Sequence, residues 1–320
     1  MSALNRRTVL LATAAFAVTS TVAQSAGTTT LVVPFPPGGS TDALARLLQP
    51  GLQAKLGQTV IVENKSGAAG SLGAAYVAKS PPDGSTILVT FDSHAVIPSI
   101  LEKPPLDVVK DLAPVSMIGT APYVVAANAE RPFKTFGDVL TASRKNPGSI
   151  KYASVGIGTI GHLTMTLLAK KAGVELTHVP YRGGGPAMND VVGGHVDLIC
   201  GSAALIAPQL EGGRIRAIMQ TGRQRLSILK DTQTAIEAGF PDFEALAWWG
   251  VFVPKGTAPE TINSLSRMIK DTLSEQAAAT RLQESQQMTL VLGGPSELGD
   301  FFTRQVQIWG DVVRENDIRM

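Results

Sequence analysis

TTLVVPFPPGGSTDALARLLQPGLQAKLGQTVIVEN, residues 29–64, is the stretch that decides the fold. Its apolar run 29–35 predicts a buried strand, and leucines then recur at helical spacing up to Leu56. Pro50 should kink or interrupt this helix, and Gly57 can close it. A second strand follows at residues 59–64, so the chain opens with the strand–helix–strand unit of an α/β protein.

The same alternation continues on both sides of a looser central region. A helix over residues 71–80 and a strand over 85–91 indicate a parallel sheet with right-handed crossovers. Two strands between residues 112 and 130 should cross to a second lobe, where strands and helices alternate again. A late strand, 246–254, and the final helices should return to the first lobe. We therefore predict an α/β protein of two lobes with a cleft between them: residues 27–125 with 247–320, and residues 126–246.

The first 26 residues are predicted to be a secretory signal peptide, so the chain should be exported. Arg6 and Arg7 precede an apolar stretch that runs to Ala17, and small residues follow up to Ala26. An uncleaved anchor helix is the alternative, but this stretch is short for ~30 Å of hydrocarbon. The arginine pair fits the twin-arginine export route, and the general secretory route fits equally well. Later apolar runs are shorter than a membrane span, so the mature chain should be soluble.

Charge and residue usage exclude several classes of function. The chain has 28 basic and 26 acidic residues, and removal of Arg6 and Arg7 leaves 26 of each, so no basic field remains for nucleic acid. Cys200 is the single cysteine and ends an apolar run, which predicts a buried strand thiol. The four histidines lack metal-ligand spacing, and neither a nucleophile elbow nor a phosphate-binding lysine loop occurs. We expect no metal, no cofactor and no catalysis.

The first loop with binding potential is Pro36–Asp42, between the first strand and its helix. Its glycines let a ligand approach the backbone, and consecutive N–H groups at a helix start can hold an anion. Ser40 and Thr41 add hydroxyl donors. A plain turn with a capping serine or threonine is the competing interpretation.

A second loop, Ser154–His162, contains G-x-G-x-x-G between a strand and a helix. A dinucleotide site also needs an acidic residue at the end of the next strand, and that strand ends in Val179-Pro180-Tyr181. A backbone cradle for an anion is therefore the better interpretation. His162 fits a ligand contact or a capping or core role equally well.

Further polar and aromatic side chains lie next to predicted strand ends. Tyr181 could donate a hydroxyl or form a wall of the cleft, whereas Arg182 is better explained as a solvated arginine of a glycine turn. Trp248 and Trp249 should point to opposite faces of a strand, one into the core, and the other is a candidate to line the cleft. Other candidates for the cleft flank strands: Ser93, His94, Asp197 and Ser202.

Six segments in this order resemble the tripartite tricarboxylate transporter substrate-binding family, the Bug-type extracytoplasmic receptors. These segments are VPFPPGGSTDALAR (33–46), VIVENKSGAAGSLGA (60–74), SPPDGSTIL (80–88), YASVGIGTIGHL (152–163), THVPYRGGGPAMNDVVGGHVDL (177–198) and WWGVFVPKGTAPE (248–260). The resemblance covers the chain from about Thr29 to Arg314. Many members read YKG where this chain has Tyr181-Arg182-Gly183, so a ligand contact by side chain 182 does not follow.

What the resemblance implies is a type II periplasmic binding protein whose two α/β lobes close around a small carboxylate. One wall of the site would come from Gly39, Ser40, Thr41 and Asp42, and the other from Ser154, Gly158, Thr159 and His162. The predicted site also includes Phe35, Gly38, Ser93, Tyr181 and Asp197. The expected protein is a periplasmic monomer that delivers its ligand to membrane permease subunits. A sensor for a signalling partner and a nicotinamide-dependent enzyme are the alternatives.

Overall fold

A computed structural model describes residues 27–319, so the predicted signal peptide lies outside the described residues. The fold is a mixed α/β structure with two lobes, as predicted. In residues 27–319, no helix is long and apolar enough to cross a membrane.

Ten strands and ten α-helices form the described chain, with a few short 3-10 turns. The strands are β1 (Thr28–Val33), β2 (Thr59–Asn64), β3 (Thr86–Phe91), β4 (Leu112–Asn128), β5 (Lys151–Ser154), β6 (Thr177–Pro180), β7 (Leu198–Ser202), β8 (Ile215–Gln220), β9 (Leu246–Pro254) and β10 (Thr289–Gly293). The helices are α1 (Ser40–Leu56), α2 (Ser71–Ala78), α3 (Ile97–Ile100), α4 (Phe136–Lys145), α5 (Ile160–Ala172), α6 (Gly184–Val192), α7 (Ala203–Leu210), α8 (Pro259–Ser274), α9 (Gln276–Gln286) and α10 (Pro295–Glu315).

Hydrogen-bonded neighbours follow the order β2-β1-β3-β9-β4-β7-β5-β6, and β8 and β10 pair with β4 beside this path. Strands β1, β2 and β3 are parallel, as are β5, β6 and β7. β9 is antiparallel to β3 and to the first part of β4, whereas β7 and β8 are antiparallel to its second part. β4 therefore joins two groups of parallel strands.

The structure differs from the local expectations at three places. α1 continues through Pro50 without interruption, because neighbouring turns and the buried leucine face hold the helix together, and Gly57 caps it at a φ of 66°. The two strands expected between residues 112 and 130 are one strand of 17 residues. α9 and β10 were not predicted, and β10 pairs antiparallel with β4 near Gly119.

The core lies on both faces of the sheet, and β9 connects the two sides. Trp248 and Trp249 are both fully buried and belong to different apolar clusters, so they point to opposite faces as predicted. Neither indole is exposed, so both tryptophans are core residues. Cys200 is a buried free thiol, as predicted.

The register along β4 brings the two sets of strand ends toward one another. β3 runs in the same direction as β4. Its last residue, Phe91, pairs with Trp249 on β9, and Trp249 pairs in turn with Gly119 on β4. β7 runs in the opposite direction and ends at Ser202, opposite Tyr123. The carboxyl ends of the two parallel groups are therefore about four residues, or roughly 13 Å, apart along β4 and point at each other. The loops that follow these strands are therefore directed toward this junction.

The burial of His94 should make the stability of the core sensitive to acid. Its ring is 1% exposed, stacks on Phe302 at a centroid distance of 5.2 Å, and has no hydrogen-bond partner at either nitrogen. Burial lowers the pKa of His94 to about 3. The neutral ring makes its full contribution to the free energy of unfolding above the unfolded pKa of about 6.5. This contribution is lost as the pH falls toward 3. Between pH 6.5 and 5 the loss should be about 2 kcal/mol.

We expect His94→Leu to reduce the drop in unfolding free energy between pH 7 and pH 5 by about that amount, measured by urea denaturation. His195→Gln, a substitution at an exposed histidine, is the matched control. An equal drop in His94→Leu and wild type would contradict this account.

Candidate functional site

The loop between β1 and α1 is held in shape by Asp42. Its carboxylate accepts from the backbone N–H of Gly38 at 3.0 Å, from the Arg46 guanidinium at 2.9 and 3.1 Å, and from the Asn64 amide at 3.0 Å. The Asn64 amide also donates to the carbonyl of Phe35 at 3.0 Å. Asp42 thus ties together both ends of this loop and the end of β2.

Asp42 is ionised in this setting. Burial by itself would raise the pKa of its carboxyl group, but hydrogen bonds from Arg46, Gly38 and Asn64 outweigh burial and hold the pKa below its ordinary value. Both oxygens are engaged within the chain. The geometry therefore gives Asp42 the role of shaping the loop.

The start of α1 offers unpaired donors. Among residues 27–319 the backbone N–H groups of Gly39, Ser40 and Thr41 have no acceptor, and the first intrahelical bond runs from Ala43 to Gly39. Gly39 is exposed and Ser40 is half-buried, so an incoming group can reach the N–H groups of these two residues, whereas Thr41 is buried. The helix dipole adds positive potential at the same place.

The loop between β5 and α5 uses several of its polar groups internally. The Ser154 and Thr159 hydroxyls both donate to the carbonyl of Gly156, at 2.9 and 2.8 Å. The N–H of Gly158 donates to Nδ1 of His162 at 3.1 Å. Three of the predicted donors on this wall are thus already engaged in the structure.

The unpaired donors of this second wall lie in the first turn of α5. No acceptor within the described chain receives the N–H groups of Ile160 and Gly161, and no side chain caps this helix. Gly161 is needed here because a Cβ would lie 2.5 Å from the Cys200 carbonyl oxygen. The close approach of α5 to β7 therefore brings this helix start to the end of the parallel strands.

Two neutral histidines support the second loop. Burial lowers the pKa of His162 to about 4. Burial, with a smaller effect from His162, lowers that of His178 to about 3. His178 Nε2 lies 2.7 Å from Ser154 Oγ, and the two imidazole rings stack at 3.8 Å. At neutral pH neither ring adds a positive charge to the site.

Contacts at the junction connect the two groups of strands. The Tyr123 hydroxyl, on β4, donates to Asp92 Oδ2 just after β3 at 2.7 Å. Burial raises the pKa of Asp92 well above its ordinary value. Gly158 lies against Ile100, whose Cγ1 would be 2.5 Å from an added Cβ, so the second loop contacts α3 directly.

The remaining predicted residues take different places. Phe35 is half-buried beside Phe91, with ring centroids 6.4 Å apart, and thus lies next to the first loop. Ser93 is 7% exposed at the end of β3. The Tyr181 hydroxyl donates to Asp190 at 2.5 Å, so it is already paired.

Asp197 lies away from these loops. Its carboxylate pairs with Arg131 at 2.8 Å and accepts from the N–H of Lys151, the first residue of β5, at 2.8 Å. Ser154 is at the other end of the same strand, so the structure does not bring Asp197 together with the second loop. Arg182 is exposed, as expected for a solvated side chain.

Sequence reasoning did not assign a role to Asp92, Tyr123 or His178. Asp92 follows directly after a predicted strand, which is a signal that could have placed it at the carboxyl edge of the sheet. Tyr123 and His178 lie inside strands, and only the pairing of those strands brings them to the loops.

Known proteins share both the sequence and the fold. The model of the tripartite tricarboxylate transporter family receptor, TctC, matches residues 44–318. A UPF0065 protein from the tcbD–tcbE intergenic region of Pseudomonas sp. (strain P51) is 37% identical over 287 residues, which cover 89% of this chain and 85% of the relative. Protein BugT of Bordetella pertussis is 34% identical over 292 residues, with 91% and 89% covered.

Solved structures with 30% sequence identity to this chain have a similar fold. The periplasmic binding protein BugD has a TM-score of 0.82 at 30% identity, covering 92% of this chain and 99% of its own. R. palustris Rpa4515 with adipate has a TM-score of 0.85 at 30% identity, covering 93% and 100%. MatC from Rhodopseudomonas palustris with bound malate has a TM-score of 0.80 at 30% identity, covering 89% and 98%. The resemblance to Bug-type receptors is thus confirmed, and the chain belongs to the tripartite tricarboxylate transporter receptor family.

Proposed function

We propose that this protein is a periplasmic receptor that captures a small carboxylate between its lobes and delivers it to permease subunits of a tripartite transporter. The observation that carries the proposal is the pair of helix starts, α1 and α5, whose first-turn amides have no acceptor among residues 27–319. Strand ends that point at each other across β4 bring both helix starts toward one junction. Helix starts of this kind favour carboxylates.

The ligand-binding residues of this proposal overlap in part with those expected from the sequence, and Ile160 and Gly161 are additions to them. The N–H groups of Gly39, Ser40 and Thr41 form one wall, and the first turn of α5 forms the other. Asp42, Ser154, Gly158 and His162 hold the two loops in shape through the contacts described above. Phe35, Ser93 and Tyr181 would border the ligand, and Asp197 lies outside the proposed site.

The proposed lobe boundary lies where β4 changes partners. Pro122 pairs with Leu246 on β9, and Tyr123 pairs with Ser202 on β7. This change of partners supports the proposed lobes of residues 27–125 plus 247–320 and of residues 126–246. β4 and β9 would then be the two crossings about which the lobes close, because ligand contacts on both lobes favour the closed state.

A receptor explains the site better than an enzyme. Ser154 and His178 have the separation of a nucleophile and a base, but Ser154 Oγ also bonds to the carbonyl and the N–H of Gly156. β6 ends at Pro180 and is followed by Tyr181, so a nicotinamide ribose would have no acidic partner there. A signalling sensor would use the same closed form, and partner capture by a permease subunit separates it from a transport receptor.

Thermal shift with matched ligands tests the proposal. We expect adipate or malate at about 100 times its dissociation constant to add about 2.7 kcal/mol of stability, a rise in Tm of about 5 °C. Adipamide, which has the same chain without the charges, is the control and should give no shift. If NAD raised the Tm while a broad panel of carboxylates did not, the proposal would be wrong and the enzyme alternative favoured.

A further inference from the structure

Three aromatic rings stack behind the second loop. His162, from the first turn of α5, lies flat against His178, from the interior of β6, with an interplanar angle of 9°. Tyr152, on β5, stacks on His178 at a centroid distance of 4.9 Å. His178 is therefore held between a ring of the helix and a ring of the neighbouring strand.

Each histidine contacts a different part of the second loop. His178 Nε2 is 2.7 Å from Ser154 Oγ, and that oxygen accepts the N–H of Gly156 at 3.3 Å and donates to its carbonyl at 2.9 Å. His162 Nδ1 accepts the N–H of Gly158 at 3.1 Å. Between these two anchors lies Ile157, whose side chain is 40% exposed at the tip of the loop.

We propose that His178 is a positioning residue of the binding site: it fixes Ser154, and by stacking it fixes His162, so that the second loop is ordered before a ligand arrives. The inference rests on the proposed function, because the loop and the start of α5 form the second wall. A loop ordered in advance loses less conformational entropy on binding, which raises affinity without a new ligand contact. His178 acts only through its two neighbours.

Two substitutions separate the polar contact from the stacked ring. His178→Phe keeps an aromatic ring between His162 and Tyr152 but removes Nε2, and we expect affinity for adipate to fall about tenfold. His178→Gln places a polar nitrogen near the position of Nε2 and should recover affinity to within about threefold. Isothermal titration calorimetry gives the affinities, and Tm shows whether each variant is folded.

Amide hydrogen exchange in the ligand-free protein provides a readout that does not depend on ligand identity. We expect faster exchange at Gly156 and Gly158 in His178→Phe and near-normal exchange in His178→Gln, because only the glutamine can hold Ser154. Ser154→Ala should reproduce the phenylalanine variant, and the two changes together should add little, as expected for residues that act in series.

The outcomes are distinct. If His178→Phe binds and exchanges like wild type, or if the phenylalanine and glutamine variants are equally impaired, His178 has no positioning role. If wild type binds no carboxylate while the exchange pattern appears as expected, the proposed ligand class fails and the role of His178 in ordering the loop stands.

Discussion

Replacing Ser40 by proline is expected to weaken carboxylate binding by about 10- to 150-fold. The change deletes the backbone N–H at the start of α1, and a hydrogen bond to a charged group contributes about 1.5–3 kcal/mol. The backbone accepts the change, because proline suits the first helical position and Gly39 is already extended, with a φ of −79° and a ψ of 172°. Isothermal titration calorimetry with the tightest carboxylate measures the loss.

Ser40→Ala is the matched control for this prediction. It removes the hydroxyl group but keeps the N–H, so its effect should stay below about tenfold. A normal Tm in both variants excludes unfolding as the cause. Wild-type affinity in a folded Ser40→Pro protein would remove the start of α1 from the site.

Replacing Asp42 by alanine should have the second large effect, on stability and binding together. The loss leaves the Gly38 N–H without an acceptor and removes one of the two bonds donated by the Asn64 amide, so the loop before α1 stays connected to the end of β2 only through the Phe35 carbonyl. We expect the free energy of unfolding to fall by about 2 kcal/mol, measured by urea denaturation. Carboxylate affinity should fall more than about tenfold, because the donors of Gly39 and Ser40 are no longer held in place.

Arg46→Gln separates the ion pair from the loop contacts. The Arg46 side chain is 52% exposed whereas that of Asp42 is 5% exposed, so the pair itself should contribute at most about 1 kcal/mol. This variant should bind nearly as well as wild type. An equal loss of affinity in Arg46→Gln and Asp42→Ala would mean that the ion pair, and not the Gly38 and Asn64 bonds, shapes the loop.

Most helices and strands could be predicted, because the signals for them come from residues that are neighbours along the chain. The buried leucines of α1 and the left-handed Gly57 are examples, and β2 has the bounds predicted for it, residues 59–64. The region of β4 contains Gly119 and Pro122, residue types that favour a break in a strand. Pairing with β9, β10, β7 and β8 keeps it extended through both residues, and pairing is a non-local property. The same reason explains why β10 was missed.

The loops of the site were predictable, but the use of their donors was not. Glycines after a strand and before a helix identified both loops. Which donors are already paired depends on residues that are distant in sequence. Asn64 donates to Asp42 from the end of β2, and His178 contacts Ser154 from β6. Gly158 is a local case: its φ of 72° suits the loop, and its N–H donates to His162 four residues later, because of a ring orientation that the sequence does not specify.

The place of β9 in the sheet affects the order in which the chain can assemble. β9 fills the gap between β3 and β4, so both strands lack a neighbour until residues 246–254 have been added. The strands β5 to β8, by contrast, pair with one another and with β4 from one continuous stretch of chain. The part of the sheet that contains β5 to β8 can therefore complete its hydrogen bonding first. The part that contains β1 to β3 is completed last, because its contacts with β9 have a large sequence separation and form slowly.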